Sequence, residues 1–564
     1  MTVAEYIVDE LVKYGVTDTF GIPGGVILRL LYAMDDQKAK LTPHLNYHEQ
    51  MAGFAACGYS QASGKLGVAY ATRGPGITNM VSSIAEAYQE FLPVLFITAH
   101  GYRAESKSPF KDNQELNIIN ATSEITKYGA NVEHLNDVAV ELKRACHHAL
   151  IGRKGPVILD FSTQLLGQEM PKTYMPEISF KKNAPINEVE KAVEKIRQLL
   201  ILAQRPLVLI GDGLRTCACS VYNIEKLGCP IISSRASQDL VCQSPLYYGY
   251  IGSHGLRYSN FILSKSDLII IIGNRMAFPL ESKSFEPIIK NKHLIRIEID
   301  ENELARNIPN SSHFIADAAD FIHELNNNLD FFKVKPDWID VCNILKTHLD
   351  SYDISFPVKQ LILFLKCLQK EYLYVCDIGN NEFWFARAYE AVRPKGHILY
   401  SKAYGTLGVA LGRAIGAYYA TSKDVMCIIG DQGFQYNIQE LQFISYWNLP
   451  IGIILLNNSS SGMISDHEQR LSDSRLVHVT EKTGYTTPDF KKIIQAYEID
   501  YITTYNGWLK KSNDIEKNGI KKPFVYEIIF DPSIKLEPNL PKENSCPSMT
   551  PLLEDKLYKW LEQL

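Results

Sequence analysis

The stretch GDQGFQYNIQELQFISYWNLPIGIILLNNSSSG, residues 430–462, decides how this chain is read. It opens on the end of one apolar run, DVMCIIGD (Asp424–Asp431), and contains a second, PIGIILLNN (Pro450–Asn458). Between them QYNIQELQFI has helical spacing. A strand–helix–strand unit of this size joins two parallel strands, whose C-terminal ends then meet at one sheet edge. Asp431 and Asn458, 27 residues apart, fall at those ends. A carboxylate and an amide oxygen are hard donors suited to Mg²⁺ or Ca²⁺. The helix opening at Gln432-Gly433 aims its first N–H groups at the same point, where an anion is favoured. A metal beside a helix terminus makes a diphosphate site. GD alone is a helix cap and NN alone a turn; their joint placement carries the inference.

The same grammar, an apolar strand, a Gly or Pro turn and then a helical pattern, repeats outward from this unit. The first region has LGVAYAT (Leu66–Thr72), PVLFITA (Pro93–Ala99) and PVILDF (Pro156–Phe161). A polar, proline-bearing stretch, Met170–Asn187, reads as a linker. The second region has PLVLIGDG (Pro206–Gly213), DLIIIIG (Asp267–Gly273) and LIRIEID (Leu294–Asp300). A charged stretch, Asp330–Asp353, separates it from the third, which adds YLYVCDIG (Tyr372–Gly379) and FVYEIIF (Phe524–Phe530). Alternating strands and helices imply parallel sheets with right-handed crossovers. The expected fold is therefore α/β, with three doubly wound parallel-sheet domains in tandem: residues 1–168, 186–328 and 354–535, followed by a tail at 536–564. The tail ends in an amphipathic pattern, LLEDKLYKWLEQL.

The 564 residues carry a formal charge of −5, with 46% hydrophobic and 21% charged residues. That balance offers no basic face for nucleic acid and no polybasic patch for a membrane. The N-terminal MTVAEYIVDELVKYGV is amphipathic, with Val3, Ile7, Leu11 and Val12 on one side, unlike a signal peptide. Apolar runs such as Leu268–Gly273 are too short to span a bilayer. Eleven scattered cysteines, an odd count, point away from a disulfide framework and toward a reducing cytoplasm. Cys217 and Cys219 have no second ligand pair at metal-site spacing.

The 430–462 stretch resembles the thiamine diphosphate (ThDP) binding motif, GD followed by NN after some thirty residues. From end to end the chain resembles the acetolactate synthase branch of the ThDP enzymes. The resemblance implies that Asp431 and Asn458 bind the metal, with the Ser460 main-chain carbonyl as third protein ligand. It also implies that Gly379 and Asn380, in DIGNN, approach the diphosphate with Gln432, Gly433 and Gly462. HEQMAGFAACGYSQASGKLGVAYATRGPGITN (His48–Asn79) resembles the family's pyrimidine-domain signature. By that likeness Glu49 hydrogen-bonds N1′ of the aminopyrimidine and runs the proton relay that ends at thiazolium C2. A carboxyl among apolar neighbours, held toward its protonated form, suits such a shuttle. GTLGVALGRAIGA (Gly405–Ala417) resembles the family's GTMGFGLPAAIGA and puts Leu407 at the wedge that bends the cofactor. Met463 lies beside it. In the family, Glu49 serves a cofactor whose diphosphate the other subunit holds, which implies a homodimer or homotetramer.

For chemistry, the resemblance implies attack on a 2-keto acid, loss of CO₂, and capture of the product by a carbonyl or a proton. GIPGG matches the family's GYPGG, with Gly25 lining the substrate cavity, and DNQE (Asp112–Glu115) keeps Gln114; both favour pyruvate as donor. Three departures fall on the acceptor side. Asn113 replaces a Phe, His467 a Trp, and Arg73 a small residue before GPG. They suit a polar acceptor such as a nucleotide-linked keto-sugar, with a second pyruvate or simple decarboxylation as alternatives. GYTTPDFKKIIQAYEI (Gly484–Ile499) and the SMTPLLED tail resemble members from polysaccharide gene clusters. In the middle region IGDGLR (Ile210–Arg215), SHGLR (Ser253–Arg257) and GNRM (Gly273–Met276) resemble parts of the family's FAD site, though a lone GDG after a strand is weak.

Overall fold

The structure is a computed structural model. It describes residues 1–101, 114–171, 188–215, 221–277, 280, 282–304, 308–328, 336–350, 352, 354–471 and 475–564. Three six-stranded sheets, all parallel, make the α/β fold that the strand–helix alternation predicts. All ten strands read from the sequence are present, and they are the apolar ones. In the LIIII strand all five residues are buried, as expected when helices cover both faces of a parallel sheet.

The first sheet contains β1 (Asp18–Gly21), β2 (Thr42–Leu45), β3 (Gly67–Tyr70), β4 (Val94–His100), β5 (Tyr128–Val132) and β6 (Val157–Ser162), in the order β2-β1-β3-β4-β6-β5. The second contains β7 (Pro206–Ile210), β8 (Ile231–Ser234), β9 (Tyr247–Ile251), β10 (Leu268–Ile272), β11 (His293–Glu298) and β12 (Ser311–Ile315). Its order, β12-β11-β10-β7-β8-β9, is the 3-2-1-4-5-6 arrangement of a dinucleotide-type sheet. The third contains β13 (Leu373–Cys376), β14 (Ile398–Tyr400), β15 (Val425–Gly430), β16 (Ile451–Asn457), β17 (Asp500–Ile502) and β18 (Phe524–Ile529). Its order, β14-β13-β15-β16-β18-β17, repeats that of the first sheet strand for strand.

The chain forms two compact units, and the first and third sheets share one of them (residues 1–180, 369–382 and 398–532). One continuous core runs between these sheets, from Phe20, Ala55 and Phe96 to Ala414, Ile429 and Leu455. At its centre the helix Glu49–Ser63 packs on the helix Ala410–Thr421 at backbone distance. A Cβ on Gly416 would stand 1.8 Å from the Ala55 carbonyl oxygen, and one on Gly58 would stand 2.3 Å from that of Arg413. Arg413 is fully buried and ion-paired to the equally buried Glu86. Its Nη1 also donates to Gln61 Oε1 (2.9 Å) and the Tyr400 carbonyl (2.7 Å). Buried charges of this kind are held by pairing and by hydrogen bonds to what surrounds them.

The second unit holds the second sheet and the tail (181–368, 383–397 and 533–564). Asp330–Asp353 is more than a spacer: Pro336–Leu349 is a helix whose Trp338 is buried and donates to the Pro206 carbonyl (3.0 Å). The tail folds back on this unit, through Leu540 N to Ser253 O (2.7 Å), Cys546 N to Ser284 O (2.9 Å) and Arg257 Nη1 to Met549 O (3.1 Å). At the N-terminus the expected amphipathic helix spans Val3–Lys13, closed by a Thr2–Glu5 capping box. No described helix is long and apolar enough to cross a membrane.

Candidate active site

β15 and β16 pair in register up to Gly430 opposite Leu456, so Asp431 and Asn458 emerge at one level of the sheet edge. Both are buried, 3% and 6% exposed. Asp431 Oδ1 accepts from Gln432 N (2.8 Å), while Oδ2 is buried without a hydrogen bond. Burial pushes this carboxyl up to about 6, opposed by the Gln432 N–H and by the nearby Tyr485 hydroxyl and Ser460 and Ser459 N–H groups, none of which makes a hydrogen bond of normal geometry to Oδ2. A buried acceptor without a donor is the arrangement a cation would satisfy.

The turn after β16 lies beside this carboxylate. Asn457 Oδ1 accepts from Ser459 N (3.0 Å), and Ser459 takes a left-handed φ of 49°. The Ser460 hydroxyl donates to the Val479 carbonyl (2.7 Å), so the side chain is turned to its own loop and any further contact falls to the main-chain oxygen. Ser461 Oγ donates to Gln432 Oε1 (2.9 Å), tying this turn to the one after β15. A Cβ on Gly462 would stand 2.9 Å from Asn458 Nδ2 and 3.3 Å from Asn380 Nδ2. Asn380 Nδ2 donates to Asp466 (2.9 Å), while its Oδ1 is a second buried acceptor without a donor. Thus Gly379-Asn380, Asp431-Gln432-Gly433 and Asn458–Met463 converge. One expectation needs correcting: the helix after β15 is broken into Asp431–Tyr436 and Glu440–Tyr446, with Asn437 non-helical between them. Asn437 Nδ2 turns instead to the Gly408 carbonyl (3.3 Å), which favours the break.

The Gly405–Gly408 loop, which carries Leu407, is held by a residue the sequence analysis passed over. Asp377, at the end of β13, is fully buried and accepts from Gly408 N (2.9 Å) and Ala410 N (3.1 Å). Burial pushes it up to about 7, opposed by the N–H groups of Gly408, Ala410 and Val409. A Cβ on Gly433 would stand 2.2 Å from Asp377 Oδ2, so only glycine fits there. Gly405 and Gly408 have φ of 71° and 82°, and between these left-handed turns Leu407 is half-buried. The signal for Asp377 was its place directly before Ile378-Gly379 at a strand end.

Glu49 belongs to a second cluster. It is the first residue of its helix and half-buried; Asn79 Nδ2 donates to its Oε2 (2.9 Å), and a Cβ on Gly76 would stand 3.5 Å from its Oε1. In the single chain it is thus partly solvated and held by an amide. Arg73 pairs with Glu115 (2.8 Å), which also accepts from Gly101 N (2.8 Å). Gln114 has a left-handed φ of 59° and is exposed, and a Cβ on Gly74 would meet its carbonyl at 2.6 Å. Gly25 and His467 are exposed. Asn113, Cys217 and Cys219 lie outside the described residues.

In the second unit the stretches likened to an FAD site turn inward. Arg215 is bound to Asp239 (2.9 Å), Asp212 (2.7 Å) and the Ala236 carbonyl (2.6 Å). Arg257 serves the tail carbonyls of Met549 and Pro551. The loops at the switch point between β7 and β10 close on each other through Gly213 N to Gly273 O (3.0 Å).

Comparison with known proteins agrees with this geometry. Residues 1–122, 193–325 and 377–527 match, in turn, the N-terminal TPP binding, central and C-terminal TPP binding domains of thiamine pyrophosphate enzymes. The acetolactate synthase large subunit of Pyropia yezoensis is 32% identical over 532 residues, covering 89% of this chain and 87% of its own. That of Cyanidium caldarium is 30% identical over 524 residues, 87% of each chain. The acetolactate synthase isozyme 2 large subunit of Escherichia coli (strain K12) is 30% identical over 519 residues, 88% of this chain and 90% of its own. With this likeness running through all three sheets, the chain belongs to the thiamine pyrophosphate enzymes, in their acetolactate synthase-like branch, and is a ThDP-dependent carboligase or decarboxylase.

Proposed function

We propose that this enzyme decarboxylates a 2-keto acid, pyruvate by its donor-side motifs, and joins the remaining two-carbon unit to a carbonyl acceptor. The observation that carries the reading is the buried, donorless Asp431 Oδ2 beside Asn458 and the Ser460 carbonyl. This oxygen and amide set fits Mg²⁺, or Ca²⁺, better than a softer metal. Asp431, Asn458 and Ser460 hold the metal. Gly379, Asn380, Gln432, Gly433 and Gly462 face the diphosphate, and Gly405, Leu407 and Met463 border the rings. Bound ThDP supplies the carbon nucleophile and electron sink for decarboxylation. Glu49 moves the proton at pyrimidine N1′, with Asn79 orienting its carboxylate. Gly25 and Gln114 position the donor.

The domain roles follow: 1–168 for the pyrimidine, 186–328 as the central domain, 354–535 for the diphosphate and 536–564 as the tail. Glu49 and Asp431 lie in separate clusters, which supports a homodimer or homotetramer with each site shared between subunits. The nine described cysteines are free, in keeping with a reducing cytoplasm. FAD is assigned no step, because Arg215 and Arg257 are engaged within their own unit; the flavin absorbance of purified protein tests this directly.

Two acceptors compete. The relatives' names favour a second pyruvate, giving acetolactate. Arg73, Asn113 and His467 favour a polar keto-sugar, linked to a nucleotide and destined for a polysaccharide. Mass spectrometry of products from labelled pyruvate, with a panel of keto acids and nucleotide-linked keto-sugars, decides between them. Labelled CO₂ with free acetaldehyde as the sole carbon product would overturn carboligation.

A further inference from the structure

Only Asn46, Tyr47 and His48 separate the end of β2 from Glu49, and they are tied to a carboxylate on the third sheet's side of the core. Glu440, the first residue of the Glu440–Tyr446 helix, is fully buried. Its Oε1 accepts from Tyr47 N (2.9 Å) and its Oε2 from Asn46 Nδ2 (3.0 Å). The His48 N–H also points at this carboxylate. A carboxylate is acceptor-only, so it matches these three donors. Glu440 lies nine positions after Asp431, past the break in the helix that follows β15. The segment that carries the metal ligand therefore also grips the turn that presents Glu49.

We infer that Glu440 is a positioning residue for Glu49: it sets the height and direction from which that carboxylate reaches the pyrimidine. This rests on the role proposed for Glu49 and goes beyond it, because Glu440 touches no reacting atom. A small misplacement of a reacting group lowers rate by up to about 10²-fold without loss of binding.

The test uses holoenzyme with ThDP and Mg²⁺, reading exchange of the cofactor's C2 proton for deuterium, ThDP affinity, and kcat against KM. E49Q slows exchange by about 10²–10⁴-fold. E440Q replaces one acceptor oxygen by an NH₂ facing donors; it slows exchange and kcat by about 10–100-fold, with ThDP affinity and KM within about threefold of wild type. The double variant E49Q/E440Q is no slower than E49Q, because a misplaced acid that is already absent loses nothing further. Wild-type exchange in E440Q, or a double variant slowed by the product of the two effects, overturns the inference. Wild-type exchange in E49Q instead overturns the role of Glu49 and this inference with it. If E440Q does not fold, N46A keeps Glu440 and the Tyr47 bond; it should slow exchange by about 2–10-fold, and wild-type exchange there refutes the inference.

Discussion

The first and third sheets have the same six-strand order, yet their C-terminal edges are equipped differently. In the third, the residues proposed as ligands follow β13, β15 and β16, at and beside the point where the strand order reverses. There two acceptors, Asp431 Oδ2 and Asn380 Oδ1, are buried without a hydrogen bond. In the first, Glu49 follows the edge strand β2, is half-buried, and already has an amide partner in Asn79. On the proposed reading, one edge holds the cofactor and the other exchanges a proton. The same topology thus supports either task, and the loops decide which.

The sharpest way to break this division is to damage each edge separately. D431A should abolish ThDP and Mg²⁺ retention in a binding titration, whereas E49Q should keep both and lose about 10²–10⁴-fold in turnover. If both variants lose binding, the division fails. Mixing the two inactive variants after subunit exchange should restore about a quarter of wild-type activity, since half the dimers are mixed and each has one intact site. No recovery would place both residues in a single-chain site.

Next in size is the buried seam between the edges. R413M leaves Glu86 charged and unpaired in the core and should lower unfolding free energy by about 3–5 kcal/mol in urea titrations. A loss below about 1 kcal/mol would mean that the pair does little to join the two sheets. G416A forces apart two helices packed backbone to backbone and should cost about 1–3 kcal/mol, with a matching drop in Tm. Its gentler effect separates packing from charge as the tie.

The smallest effect is a titration confined to the holding edge. Asp431 is pushed up to about 6 in the metal-free chain, and a metal binds only the ionised carboxylate. Above about pH 6 affinity should be level; below it each metal displaces a proton, and apparent Mg²⁺ affinity should fall about tenfold per pH unit. A pH-independent affinity in calorimetry would remove Asp431 from the ligand set.

Much of the third sheet was legible in the sequence, and its four interior strands β13, β15, β16 and β18 were all read. Burial on both faces writes itself as continuous apolar runs. The edge strands β14 and β17 have three residues each and carry no such signature. Asp431 and Asn458 were placed together at one sheet edge because their spacing encodes one crossover. Asp377 and Glu440 were missed because their partners lie 31 to 394 positions away in the chain, and no local pattern records a buried carboxylate's distant donors. The break at Asn437 was missed for a related reason: the apolar period survives it, while the cause is a carbonyl 29 residues upstream.

By itself the sequence determined the α/β class and the cofactor family and put Asp431 and Asn458 at one sheet edge, because strand burial and crossover length are local and leave periodic marks. Only the tertiary structure decided which sheets share a core, that Arg413 and Glu86 neutralise each other there, that Asp377 supports the Gly405–Gly408 loop, and that Glu440 grips the turn before Glu49. Those are long-range pairings of buried charge. They are chosen by what must be satisfied once water is excluded, and that demand exists only in the folded chain.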